Sequence, residues 1–215
     1  MRRILKIGVF IVLILVLFCY TFILIKKSIH LKIENSEDIL SIKNMNEEHF
    51  ENNLELYNEA ISIIKNDFVS PLGEDQILIM VNNEYGGFGY IVDPFINKIV
   101  FSDDGYFLCE YDSVIYSMCN GIVKDIYVDC RSVNFIIIEY SKDLEIYYIG
   151  ITENDIKIRD SIMKGQLLGI KKHMYMRGGG DIMGKDYFLM RIKYKGVFLN
   201  PYILLKNAPF DTTYL

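Results

Sequence analysis

Phe135-Ile136-Ile137-Ile138-Glu139-Tyr140 and Glu145-Ile146-Tyr147-Tyr148-Ile149-Gly150-Ile151, parted by the polar break Ser141-Lys142-Asp143, decide how this chain folds. Each run is short and rich in β-branched and aromatic residues, which suit a pleated, packed surface, and the break between them is a hairpin turn. Runs of the same kind recur on either side: Ile77 to Val81, Gly89 to Val92, Ile99 to Phe101, Val114 to Ser117, Gly121 to Val128, Leu167 to Lys171 and Phe188 to Tyr194. Strands at this spacing predict a mainly β domain, an antiparallel sandwich or a small barrel.

Upstream the pattern changes. Phe50, Leu54, Tyr57, Ile61 and Ile64 recur at spacings of four, three, four and three, and Pro71 closes the segment. The spacing predicts a helix over residues 46–67, with Asn44 and Glu47 resembling a capping box. Its apolar stripe suits either a short coiled coil that makes a homo-oligomer through 46–67 or a helix laid against its own β domain. His49 falls off the stripe and is expected in solvent.

From Ile7 to Ile25 there are 19 consecutive residues without a charge, 15 of them Leu, Ile, Val or Phe. As a helix this run would span about 28 Å, close to the hydrocarbon thickness of a bilayer. The expected organisation is therefore a membrane anchor over 1–28, a juxtamembrane helical linker over 29–70 and a β domain over 71–215. A cleaved signal peptide, or a lipoprotein signal at Cys19, is the competing reading. Against it, Phe18 is bulky, no small-residue cleavage site follows, and the apolar run continues past Cys19. Arg2, Arg3 and Lys6 precede the span and favour an N-terminus inside and a C-terminal domain outside the membrane. Beyond Ile25 the chain carries 20 basic against 28 acidic residues, a formal charge of −8. That balance argues against a nucleic-acid partner.

Several elements between Phe95 and Leu205 resemble, in order, those of the LytM or lysostaphin-type zinc peptidase domain of bacterial cell-wall enzymes. Asp112-Ser113-Val114-Ile115-Tyr116-Ser117 with Asn120-Gly121-Ile122-Val123 is similar to its G-T-P-V-Y-A and D-G-x-V elements. Phe135 to Tyr140 stands where the family has V-x-I-x-H, and Glu145 to Tyr148 where it has T-x-Y. Ile158, Asp160, Ile162, Lys164-Gly165-Gln166 and Leu168-Gly169 resemble V-x-x-G-x-x-V-x-x-G-Q-x-I-G, the most specific match. Gly196 and Asn200-Pro201 resemble the closing G-x-x-x-N-P.

The resemblance implies a zinc held by two His and one Asp, with a fourth position for water activated by the metal. Counted along the motifs, the H-x-x-x-D element falls on Asp103 and Phe107, H-x-H on Tyr187 and Leu189, and the His after T-x-Y on Gly150. None of these keeps the family's residue. The chain's histidines are His30, His49 and His173, too few inside the domain to rebuild the set. Phe and Leu offer a metal no lone pair. The expectation is a pseudoenzyme with no metal and no cofactor. Its groove would be lined by Tyr148, Tyr187 and Arg191, and Arg191 would meet an acidic side chain or the carboxylate of a wall peptide.

Cys109 and Cys119 read as small core residues, with a Cys119 to Cys130 bridge across a hairpin as the other reading. Arg177-Gly178-Gly179-Gly180-Asp181 lies between strands, so it reads as a loop at the mouth of the groove and not as a phosphate loop. Tyr85-Gly86-Gly87-Phe88-Gly89 reads as a turn. The function implied is binding at the cell envelope: a scaffold, or an activator of a separate cell-wall hydrolase, in contact with peptidoglycan or another envelope protein. Two alternatives stay open, an adaptor or membrane-fusion subunit of an export system and a peptidoglycan hydrolase with a non-standard site.

Overall fold

The computed structural model describes residues 38–73, 76–81, 87–93, 98–110, 113–128, 133–152, 155–171 and 185–214. The expected membrane span, the Arg177–Asp181 loop and Cys130 lie outside these residues. The chain divides into two compact units, Met1–Asn44 and Met45–Leu215, and the second holds the β structure. Among the described residues no helix is long and apolar enough to cross a membrane.

Helix α1 covers residues 38–52, a turn at Asn53 interrupts it, and α2 covers Leu54–Asp67. One helix over 46–67 was expected, so both its start and its continuity are corrected. Asn44 lies within α1, and the capping box does not form there. At the break the Asn53 side chain donates to the carbonyl of His49, competing with the helical backbone pattern.

Helix α2 buries Tyr57, Ala60 and Ile64, spaced three and four apart, in the core of the β domain. Tyr57 Oη accepts the backbone N–H of Asn200 at 2.7 Å, and burial pushes its phenol up to about 12. Glu59 accepts from Tyr194 Oη at 2.9 Å and Lys195 Nζ at 2.5 Å. Tyr57 and Ile64 of the stripe are thus packed inside their own unit, with the helix laid on the β domain, while Leu54 of the same stripe stays exposed. Phe68, with extended backbone, ends the helix.

Thirteen strands are described: β1 (Leu78–Val81), β2 (Gly89–Asp93), β3 (Lys98–Ser102), β4 (Gly105–Glu110), β5 (Val114–Tyr116), β6 (Gly121–Val128), β7 (Asn134–Ser141), β8 (Leu144–Ile149), β9 (Ser161–Ile162), β10 (Leu167–Ile170), β11 (Lys185–Tyr194), β12 (Val197–Leu199) and β13 (Thr212–Tyr214). The main sheet runs β13-β1-β4-β11-β8-β7-β6-β9, with β12 on β11, while β5–β10 and β2–β3 form separate two-stranded sheets. The mainly β reading holds. The purely antiparallel reading is corrected, because β13 pairs parallel with β1.

β4 is absent from the strands read in the sequence. Tyr106-Phe107-Leu108-Cys109 is a continuous apolar run after Asp103-Asp104-Gly105, and such a run carries no alternation to mark it as a strand. Asn200-Pro201 opens a short helix, α3 (Pro201–Leu205), by the usual device: the Asn200 side chain accepts from Tyr202 N, and proline takes the first turn. Tyr202 Oη then accepts the backbone N–H of Tyr106, tying α3 to β4.

At Gly121 the backbone of β6 passes close to β7. A Cβ there would lie 2.6 Å from Ile138 Cγ2 and 2.7 Å from the Glu139 carbonyl oxygen, and the latter is backbone that cannot swing aside. Gly121→Ala is expected to destabilise the domain by about 1–3 kcal/mol, read as a lower urea midpoint with unchanged m-value.

Candidate functional site

Directly opposed residues in a sheet point to the same face, so the register sorts the predicted site residues without further assumption. One face carries Phe107 opposite Phe188, and Gly105, Met190, Tyr148, Ile136 and Ile126 in a row across five strands. This face packs into the main core, under α2 and α3. The other carries the row Tyr106, Leu189, Ile149, Phe135 and Tyr127, and beside it Arg191, Tyr147, Ile137 and Asp125. On it Phe135, Ile137, Tyr147, Ile149 and Leu189 form a second apolar cluster, flanked by Tyr106, Val133 and Phe198.

The structure therefore separates residues that the sequence brought together. Phe107 is fully buried in the main core, its ring 6.3 Å from Phe188 and 5.6 Å from Tyr202. Leu189 belongs to the opposite face, where its neighbour on β4 is Tyr106. Phe107 and Leu189 do not line one pocket. Gly150 is buried at the end of β8, in the left-handed region, and donates its N–H to the carbonyl of Asn134. Tyr148 is likewise a core residue: it is fully buried, stacks on Phe188 at 6.2 Å, and its hydroxyl accepts the N–H of Met118 at 2.9 Å. Burial pushes its phenol pKa well above the usual value. The tyrosine of this strand on the second face is its neighbour, Tyr147. Tyr187 pairs through its backbone with Leu108; its side chain lies outside the described residues.

Arg191 is on the second face and pairs with an acid. Its Nε donates to Asp104 Oδ1 at 2.6 Å, and its guanidinium lies 5.8 Å from the Phe135 ring and 5.9 Å from that of Phe198. Burial raises the pKa of Asp103, a shift that Arg191 opposes and Asp104 reinforces. Further along, Tyr147 Oη donates to Glu145 Oε2 at 2.8 Å, and Lys124 Nζ donates to Glu145 Oε1 at 2.6 Å. Burial and that bond together push the Tyr147 phenol pKa up. Tyr127 stacks on Phe135 at 4.6 Å with the rings nearly parallel.

What this surface can do follows from its atoms. The Leu189, Ile149 and Phe135 side chains donate no lone pair, and the fixed guanidinium of Arg191 repels a metal cation. The aromatic and aliphatic side chains of this cluster are packed against one another, and the paired arginine with Tyr106 and Phe198 leaves cation–π and hydrogen-bonding options at its rim. Among the described residues no group of three or more His, Cys, Asp or Glu could hold a metal ion. Tyr106 and Phe198 were not singled out in the sequence. β7 and β8 are apolar on both faces, so their alternation has no visible phase, and only the register distinguishes Tyr147 from Tyr148.

His49 is corrected as well. It is half-buried, its ring 4.9 Å from Phe101 and 5.7 Å from Phe88, and not out in solvent. Cys119 is a buried free thiol, pushed up to about 12 mainly by burial, and Cys130, its candidate partner, lies outside the described residues. Cys109 is buried in the same core, as read.

No protein-family model and no curated protein matches the sequence. Among solved structures the chain is similar to a zinc containing peptidase from Vibrio cholerae, at 13% identity over 63% of this chain and 39% of that one, with TM-score 0.48. It is similar to lysostaphin in solution, at 13% identity over 62% of this chain and 52% of that one, with TM-score 0.46. It is also similar to a chain of the SpoIIIAH and SpoIIQ complex, at 15% identity over 63% of this chain and 98% of that one, with TM-score 0.48. The match thus spans well under two thirds of the first two proteins.

Proposed function

We propose that this chain is a membrane-anchored, catalytically silent LytM-like protein that acts at the cell envelope by binding a partner. The ordered motifs from Val114 to Pro201 support the LytM-like part of that reading. The observation that carries the loss of catalysis is the second face of the sheet. Where a hydrolase of this kind would need His and Asp donors around an open metal position, Leu189, Ile149, Phe135 and Tyr147 are packed to between 3% and 8% exposure. On β4 the position facing Leu189 is Tyr106, so the register favours Tyr106 over Phe107 as the counterpart of the family's aspartate. The anchor over 1–28, the outside location of the domain and a peptidoglycan or hydrolase partner belong to the same reading, supported by the apolar run and the motif resemblance.

The test is a digestion assay with the purified full-length chain on peptidoglycan, with and without added zinc, alongside elemental analysis of the chain. The expected result is no soluble fragments under either condition and no stoichiometric transition metal. Fragment release that a chelator abolishes would overturn the reading.

A further inference from the structure

The β2–β3 hairpin stands apart from the main sheet, and α1 holds it. Asn46 Oδ1 accepts the backbone N–H of Tyr90 at 2.6 Å, and Asn46 Nδ2 donates to the Tyr90 carbonyl at 3.2 Å. One side chain thus satisfies both outward backbone groups of an edge strand, as a neighbouring strand would. The approach is close enough to dictate the preceding residue: Gly89 has φ +105°, and a Cβ there would come within 2.4 Å of Asn46 Oδ1. Nearly one turn along α1, the His49 ring rests on Phe88 and Phe101, whose own rings meet edge to face at 5.4 Å. Tyr90 completes the aromatic group, 5.0 Å from Phe101. From β3 the chain runs directly through Asp103 and Asp104, which meets Arg191, into β4.

We propose that α1 and the β2–β3 hairpin form a proton-sensitive latch, in which Asn46 stands in for a pairing strand on β2 while the His49 ring rests on Phe88 and Phe101, and which opens on acidification. The hairpin presents uncharged rings to His49. The charged group facing it from the β3–β4 turn is Asp103, with Asp104 and Arg191 paired behind, and Glu47 and Glu48 on its own helix are exposed. Partial burial lowers the His49 pKa, and Asp103 opposes that shift without reversing it. The closed state therefore binds a proton less readily than an open one. Its stability is complete above the ordinary imidazole value of about 6.5 and falls as pH drops below it. Asp103, raised by burial, works the other way only in the carboxylate range, and once protonated it no longer supports a charged His49.

The Tyr90 amide reports the latch because its acceptor is Asn46. Hydrogen exchange is followed by NMR on the full-length chain at about pH 7.5 and about pH 5.5, corrected for intrinsic exchange rates, with Ile146 of the main sheet as reference. Protection at Tyr90 is expected to fall several-fold at the lower pH while Ile146 is unchanged. His49→Phe, and independently His49→Gln, should abolish the pH dependence, and Asn46→Ala should remove the protection at both pH values. Tyr90 protection that is constant with pH in the parent chain, or that still falls in both His49 variants, would overturn the proposal.

Discussion

Phe107→Asp is expected to abolish stable folding, whereas Tyr106→Asp, one residue away, is expected to leave a folded domain. Phe107 is fully buried among Phe188, Tyr202 and the apolar core. Truncating a buried phenylalanine costs about 3–5 kcal/mol in lost contacts and cavity. An unpaired carboxylate in the space left behind adds several kcal/mol, whether as desolvated charge or as a neutralised acid. Together these approach the whole stability of an ordinary domain, about 5–15 kcal/mol. Tyr106 lies on the other face, half-buried and beside Asp104 and Arg191, where a new carboxylate has a cation within its neighbourhood and solvent nearby. Its loss should cost about 1–2 kcal/mol. Urea denaturation followed by far-ultraviolet circular dichroism of both variants reads the difference. A folded Phe107→Asp variant that binds zinc would mean that Phe107 faces the groove after all, against the register of β4 and β11.

This pair of variants turns on the one kind of information that the sequence withholds. The existence of β6, β7, β8 and β11 is legible because each is a run of Val, Ile, Tyr and Phe bounded by polar turns, and the Asn200-Pro201 closure is legible because its capping chemistry is local. Phase is not legible. Where both faces of a strand are apolar, shifting the alignment by one residue changes nothing in the composition, yet it moves every side chain to the other face. Phe107 and Tyr106, like Tyr148 and Tyr147, differ by one residue and point to opposite faces. The parallel β13 and the α1 break at Asn53 were hidden for another reason: both depend on contacts between residues far apart or on side-chain competition with the backbone, which periodicity does not encode. Arg191 was singled out by its place just after the H-x-H position on the same strand, and its partner is Asp104.

Tyr148→Ala is expected to lower stability by about 3–5 kcal/mol, because it removes a fully buried ring from the main core and leaves a cavity beside Phe188. Tyr148→Phe separates the ring from its hydroxyl. The ring stays, but the Met118 N–H loses its acceptor inside the core, at an expected cost of about 1–3 kcal/mol. Tyr147→Phe is the control on the opposite face. Its hydroxyl bonds to Glu145, which keeps the Lys124 ammonium as a second partner, so the loss should stay near 1 kcal/mol or below. Urea midpoints of the three variants should therefore order as Tyr148→Ala lowest, then Tyr148→Phe, then Tyr147→Phe close to the parent. A groove-lining Tyr148 would give the reverse signature: little change in stability on truncation, with the effect appearing only when a ligand is present. The ordering thus tests which face of β8 belongs to the main core and which belongs to the second cluster with Tyr147.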